Sequence, residues 1–140
     1  MIKYTKLPKN ITALLPKAES YLRSRPDIAF AYLFGSLAQG NRKPLSDVDI
    51  AIYLSEENEI PGKKLEILGQ LMDLLETEEV DLVILNTAHL PLKMKILETR
   101  KVLVDNLSFA RHCYESLTMR EYFDFATKEI AILERRFLSD

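Results

Sequence analysis

The chain has a single cysteine, Cys113, among its 140 residues. One thiol can form neither an intrachain disulfide nor a cysteine-based zinc cluster, and in a helical stretch it reads as a small packed side chain rather than a nucleophile. No apolar run approaches the roughly 20 residues that would cross a bilayer. The opening stretch MIKYTKLPKN lacks the apolar core of a signal peptide. No membrane contact is therefore expected, and the cytoplasm is the expected compartment. A basic excess is missing too: 19 Lys and Arg stand against 21 Asp and Glu, for a net charge of −2. Non-specific binding of nucleic acid requires a broad basic footprint, so no direct nucleic-acid contact is expected. His89 and His112 have no second His or Cys at the spacing of a metal site and are assigned no role. There are no internal repeats and no low-complexity segment.

What is present is ordinary globular composition, 47% hydrophobic and 29% charged. The length suits one domain that buries about two-thirds of its unfolded surface. Asn10 is placed to cap a helix with Ile11, Leu14, Leu15, Ala18 and Leu22 on one face, with Pro16 inside it as a source of a kink or a later start. Ile28 to Phe34 reads as a buried strand that stops at Gly35-Ser36. Asp47 to Leu54 reads as a second strand, followed by a solvated loop over 55–62. A helix is expected from Lys63 to Glu76, with Leu65, Leu68, Leu71, Met72 and Leu75 inward. A third strand follows at Val80–Leu85, a short helix at Pro91–Thr99 and an edge strand at Val102–Val104.

From Leu107 to Leu138 there is neither Gly nor Pro. Arg111 with Glu115, Arg120 with Asp124 and Asp124 with Lys128 lie at the i,i+4 spacing that supports a helix. The predicted fold is therefore a mixed α/β (α+β) sheet of three or four strands flanked by helices, with a long C-terminal helix. The expected division is a domain over 1–106 and a helical extension over 107–140 that packs on the sheet or docks a partner.

The chemistry is concentrated in Gly35-Ser36 and Asp47-Val48-Asp49. Residues two apart on a strand share a face, so Asp47 and Asp49 point together while Val48, Ile50 and Ile52 point into the core. Two carboxylates roughly 6–7 Å apart can jointly hold one or two hard cations through oxygen. Without a cation they would repel. A glycine directly after a strand lets the backbone approach a phosphate, and the N–H groups of such a turn, with the Ser36 hydroxyl, suit triphosphate oxygens. Asp81, in the otherwise apolar Val80–Leu85, is the candidate third carboxylate, since burial without partners would cost it several kcal/mol. Each feature alone has a plainer explanation: a turn, a cap, or the first residue of a strand. Their combination in this order is far rarer.

These residues resemble the signature of the DNA polymerase β-like nucleotidyltransferase superfamily, in its minimal nucleotidyltransferase branch: Gly-Ser, ten residues, then Asp-x-Asp. Here residues 37 to 46 separate Ser36 from Asp47. The resemblance spans about residues 28 to 104. It implies that Gly35 and Ser36 bind the triphosphate and that Asp47, Asp49 and Asp81 are the catalytic and metal-ligating residues. ATP would be the substrate, with two Mg²⁺ ions assisting in-line attack of an acceptor hydroxyl on the α-phosphorus, and Asp81 would double as a general base. Many members carry Arg where this chain has Gln39, which removes a phosphate contact that Arg42 or Lys43 would have to supply.

Chains of this length resemble the antitoxin of HEPN/MNT toxin–antitoxin pairs, which implies AMP transfer to a tyrosine of a HEPN ribonuclease toxin. The aromatic C-terminal helix could dock that partner, form a homodimer, or fold back on the sheet, with Tyr114, Tyr122 and Phe123 expected in the core. Three alternatives come from other classes: an aminoglycoside-type small-molecule nucleotidyltransferase, an antitoxin acting by contact alone, and a structural domain whose acidic pair merely binds metal.

Overall fold

The computed structural model of the chain describes residues 10–40 and 47–138. Within them α1 (Ile11–Ser24) leads into β1 (Ile28–Phe34), a short α2 (Gly35–Ala38) and β2 (Val48–Leu54). Then come α3 (Ile60–Leu75), β3 (Val80–Ile84), a 3₁₀ turn over Leu85–Thr87, α4 (Leu90–Thr99), β4 (Lys101–Asp105) and α5 (Ser108–Leu138). The four strands form one mixed sheet in the order β3-β2-β1-β4. β1 runs antiparallel to both β2 and β4, and β2 runs parallel to β3.

Alternation along the strands sorts their side chains onto two faces. Ala31, Leu33, Val48, Ile50, Ile52, Leu82 and Ile84 join Leu14, Ala18 and Leu22 of α1 and Ile67, Leu71 and Leu75 of α3 in one core. Phe30, Tyr32, Phe34 and Ala51 form a second core with Ile96 and Leu97 of α4, flanked by Tyr53, Val83 and Tyr114. All seven residues of β1 are buried. A strand covered on both faces is written as a continuous apolar run, which is how the sequence writes it.

Most expected elements form, with several corrections. Asn10 stands at the start of α1 but makes no side-chain cap; its carbonyl takes the Ala13 and Leu14 amides instead. Pro16 neither delays nor ends α1, which runs through it on the exposed face. There the carbonyl that loses its hydrogen bond is Thr12's, also on an exposed residue, where water can replace the missing partner. β2 starts at Val48, so Asp47 precedes the strand. α3 begins at Ile60 with Pro61 in its first turn, where a missing N–H costs nothing. Its inner stripe is Ile67, Leu71 and Leu75 at i,i+4, and Leu65 is 72% exposed.

Helix α5 packs on the sheet only near its start. Tyr114 meets Phe30 and Tyr53 with ring centroids 5.6 and 5.3 Å away, and Thr118 is buried one turn on. Cys113, off that stripe, is exposed rather than packed. Tyr122 and Phe123 are exposed as well, as are Phe125, Ile130, Leu133 and Phe137. The fold-back expected of the aromatic residues therefore applies to Tyr114 and stops there. Arg111 and Glu115 close their i,i+4 pair at 3.2 Å. Neither Arg120–Asp124 nor Asp124–Lys128 forms an ion pair, because both lie on the exposed outer turns where nothing fixes the side chains. No helix among the described residues is long and apolar enough to cross a membrane.

The root of α5 is held by a polar cluster. Glu115 accepts from the Tyr32 hydroxyl at 2.5 Å and from Arg100 Nε at 3.0 Å, while Arg111 reaches Asp105 on β4 at 3.1 Å. Burial alone would raise the Glu115 carboxyl, but the Tyr32 hydroxyl and the two guanidiniums hold it below the usual carboxylate range. Arg111, with help from the Ser108 hydroxyl, lowers Asp105 in the same way. A carboxyl lowered by folding stabilises the fold fully above its unfolded value, near 4, and loses that contribution as pH falls through the folded value. Thermal stability should therefore hold between about pH 7 and 5 and decline below about pH 4. Glu115→Gln is expected to melt lower at pH 7, by about 1–3 kcal/mol, and to show a shallower acid decline. Melting curves across pH check this, and an acid limb parallel to the wild type would contradict it.

Candidate active site

β1 ends at Phe34, and Gly35 turns the chain at φ +74°, a left-handed angle that favours glycine. A second reason for glycine lies across the strand pair. Phe34 is the register partner of Asp49, and a Cβ at Gly35 would collide with the Asp49 Oδ2. The turn and the carboxylate are thus built against one another, with the missing side chain leaving the space that the carboxylate fills.

The first N–H groups of a helix have no acceptor within it. In α2 the first, from Gly35, is not presented outward as expected from the sequence: it donates to the Thr99 hydroxyl at 3.0 Å. The next belong to Ser36 and Leu37. Ser36 is half-buried at the turn. Gln39 closes α2, its N–H returning to the Gly35 carbonyl, and Gly40 follows at φ +79°. Arg42 and Lys43, proposed to replace the missing Arg, lie outside the described residues.

The acidic residues gather by register. Asp49 on β2 and Asp81 on β3 are direct partners in the parallel pairing. Both therefore lie on the sheet face that carries Phe34, Ala51 and Val83, while Val48 and Ile50 are fully buried in the opposite core. Asp81 is exposed and Asp49 half-buried, so neither is turned into a dry interior. Asp47, half-buried, sits one residue before β2. Among the described residues no group of three or more His, Cys, Asp or Glu stands ready to hold a metal ion. The backbone brings the three aspartates to one sheet end, where a cation between them would offset their like charges.

Two observations fit such a cation. The donors are all carboxylate oxygens, the preference of hard divalent ions. Glu79, two residues before Asp81, is also buried, and its Oε2 meets no hydrogen-bond partner among the described residues. Its carbonyl accepts the Val48 amide at 2.9 Å, which sets it beside the Asp47 position. A buried carboxylate without partners costs free energy that a neighbouring positive charge would offset. Sequence reasoning missed both Glu79 and Thr99, since neither spacing nor residue type marks them.

A family model described as polymerase beta, nucleotidyltransferase, fits residues 16–108. A solved toxin–antitoxin structure with AMP-PNP is similar at 26% identity and TM-score 0.66, over 89% of this chain and 94% of the other. The tri-AMPylated Shewanella oneidensis HEPN toxin in complex with MNT antitoxin is similar at 23% identity and TM-score 0.67, over 89% and 96%. A toxin–antitoxin MntA–HepT structure gives 23% and 0.66, over 88% and 96%. No curated protein matches the chain by sequence. The matched family segment runs from within α1 through β4 and so contains the glycine turn, Asp47, Asp49, Glu79 and Asp81: the chain belongs to the polymerase beta nucleotidyltransferase family.

Proposed function

We propose that the chain transfers AMP from ATP, with Mg²⁺, to a tyrosine hydroxyl of a HEPN-family ribonuclease toxin in the cytoplasm, and so acts as its antitoxin. The observation that carries the chemistry is the contact of Asp49 with the side-chain-free Gly35, with Asp81 in register beside it. The choice of acceptor is supported by the structural neighbours, which are toxin–antitoxin complexes, one with an AMPylated toxin and one with an ATP analogue.

In this mechanism Ser36 and the backbone of its turn hold the triphosphate, and Gly35 allows it to lie close to Asp49. Asp47, Asp49 and Asp81 would hold two Mg²⁺ ions, which supply charge neutralisation for the departing pyrophosphate and activation of the attacking hydroxyl. Asp81, the most exposed of the three, receives the proton of the acceptor hydroxyl as its oxygen bonds to the α-phosphorus and the bond to pyrophosphate breaks. Residues 107–138 serve as the docking element. Their outer turns display Phe123, Phe125, Ile130, Leu133 and Phe137 to solvent, a helical apolar surface of the kind that seats another helix.

The test is incubation with ATP labelled at the α-phosphate, Mg²⁺ and a purified HEPN-family toxin. Label on a tyrosine of that protein, with loss of its ribonuclease activity, is expected. Label on an added small molecule alone would point to an aminoglycoside-type enzyme. Inhibition without label would point to neutralisation by contact.

A further inference from the structure

Glycine's freedom at φ +74° is not by itself a reason for the turn after β1 to stay in one conformation. Something must hold it. Asp49 bounds Gly35 on its Cα side, and among the described residues its amide donates to Thr99 Oγ1, 3.0 Å away and 64 residues later in the chain. The same hydroxyl donates back to the Lys95 carbonyl at 3.3 Å. Its hydrogen is thereby engaged within α4, which leaves a lone pair for the Gly35 amide.

Thr99 is itself well anchored. It is the last residue of α4, and the next residue, Arg100, binds the Leu97 carbonyl at 2.6 Å and Glu115 of α5 at 3.0 Å. Its β-branched side chain has few χ1 choices. A fixed acceptor thus meets the first amide of the turn, and that amide is satisfied before any nucleotide arrives.

We propose that Thr99 is a positioning residue for triphosphate binding, its hydroxyl fixing the Gly35 amide so that the turn presents Ser36 and the amides after it already oriented. The proposal rests on the reading that this turn holds the triphosphate. Preorganisation of this kind lowers the cost of binding without touching the reacting atoms. Its signature is a change in nucleotide affinity with turnover at saturation preserved.

The experiment compares wild type, Thr99→Val, Thr99→Ala and Thr99→Ser by calorimetric binding of Mg·AMP-PNP, by Gly35 amide hydrogen exchange and by thermal melting. Valine keeps the shape and removes the hydroxyl; serine keeps the hydroxyl and removes a methyl. Thr99→Val and Thr99→Ala are expected to bind about fivefold to tenfold more weakly, the size of one lost hydrogen bond. Gly35 exchange should accelerate in both, and Thr99→Ser should stay within about twofold of wild type. The alanine variant covers the case in which valine disturbs folding. Wild-type affinity in the folded hydroxyl-free variants overturns the role of Thr99, as does a serine variant as weak as the alanine one. Failure of the wild type to bind Mg·AMP-PNP at all instead overturns the triphosphate site, and the role of Thr99 with it.

Discussion

Gly35→Ala is expected to lower transfer at least about 100-fold and to destabilise the fold by about 1–3 kcal/mol. Two separate penalties act at this position. The φ of +74° is unfavourable for any residue with a Cβ, by about 1–2 kcal/mol. The added methyl also lands on Asp49 Oδ2, so that either the carboxylate or the backbone must move. Displacing a reacting group's ligand by about 1 Å can cost two orders of magnitude in rate. Gly40 separates the two penalties. Its φ is +79°, yet a Cβ there meets nothing within 4 Å among the described residues. Gly40→Ala should therefore show the backbone cost, about 1 kcal/mol in denaturant melts, and retain activity within severalfold. Equal loss of transfer in the two variants would show that the collision with Asp49 is irrelevant, and the coupling of turn and carboxylate would have to be given up.

What was legible in the sequence follows from which interactions are local. β1 could be read because Ile28–Phe34 is apolar throughout, and burial on both faces asks for nothing else. A period of two predicts a shared face for Asp47 and Asp49 without reference to other strands. Asp47 stops one residue short of β2, however, and it is the parallel pairing that sets Asp49 beside Asp81. Contacts between distant segments were illegible. Thr99 looks like any residue at a helix end until α4 folds beside the Gly35 turn. Glu79 looks like the last of a run of exposed acids, and only the parallel pairing of β2 with β3 buries it. The α3 start was misplaced because Pro61-Gly62 serves equally as loop or as first turn, and the tertiary fold decides between them. Leu65 falls at helical spacing with Leu68, Met72 and Leu75, but the face that turns inward is centred on Ile67, Leu71 and Leu75, which leaves Leu65 outside it. Tyr122 and Phe123 were expected inside because large aromatic groups are usually buried. Thr118 is the last of the described α5 residues to be buried, and beyond it Tyr122 and Phe123 stay exposed.

Asp49→Asn and Asp47→Asn are each expected to reduce AMP transfer by at least about 1,000-fold while leaving the protein folded. Several kcal/mol of transition-state stabilisation come from divalent charge beside the transferring phosphate, and about 1.4 kcal/mol corresponds to each tenfold in rate. An amide keeps the shape of the carboxylate and most of its hydrogen bonding but removes the charge that attracts the ion. Asp49 and Asp81 are register partners, so a divalent ion held between them would lose half of the carboxylate charge they supply when either is neutralised. In a chelator the variants should melt close to the wild type, whereas added Mg²⁺ with AMP-PNP should raise the wild-type midpoint alone, as mass action requires for a ligand that binds only the folded chain. Matching midpoints in the chelator with a shift in the wild type alone are a result that a merely damaged fold cannot reproduce. Full transfer in either variant would remove that aspartate from the metal site. A midpoint well below the wild type in chelator would assign it a structural role instead.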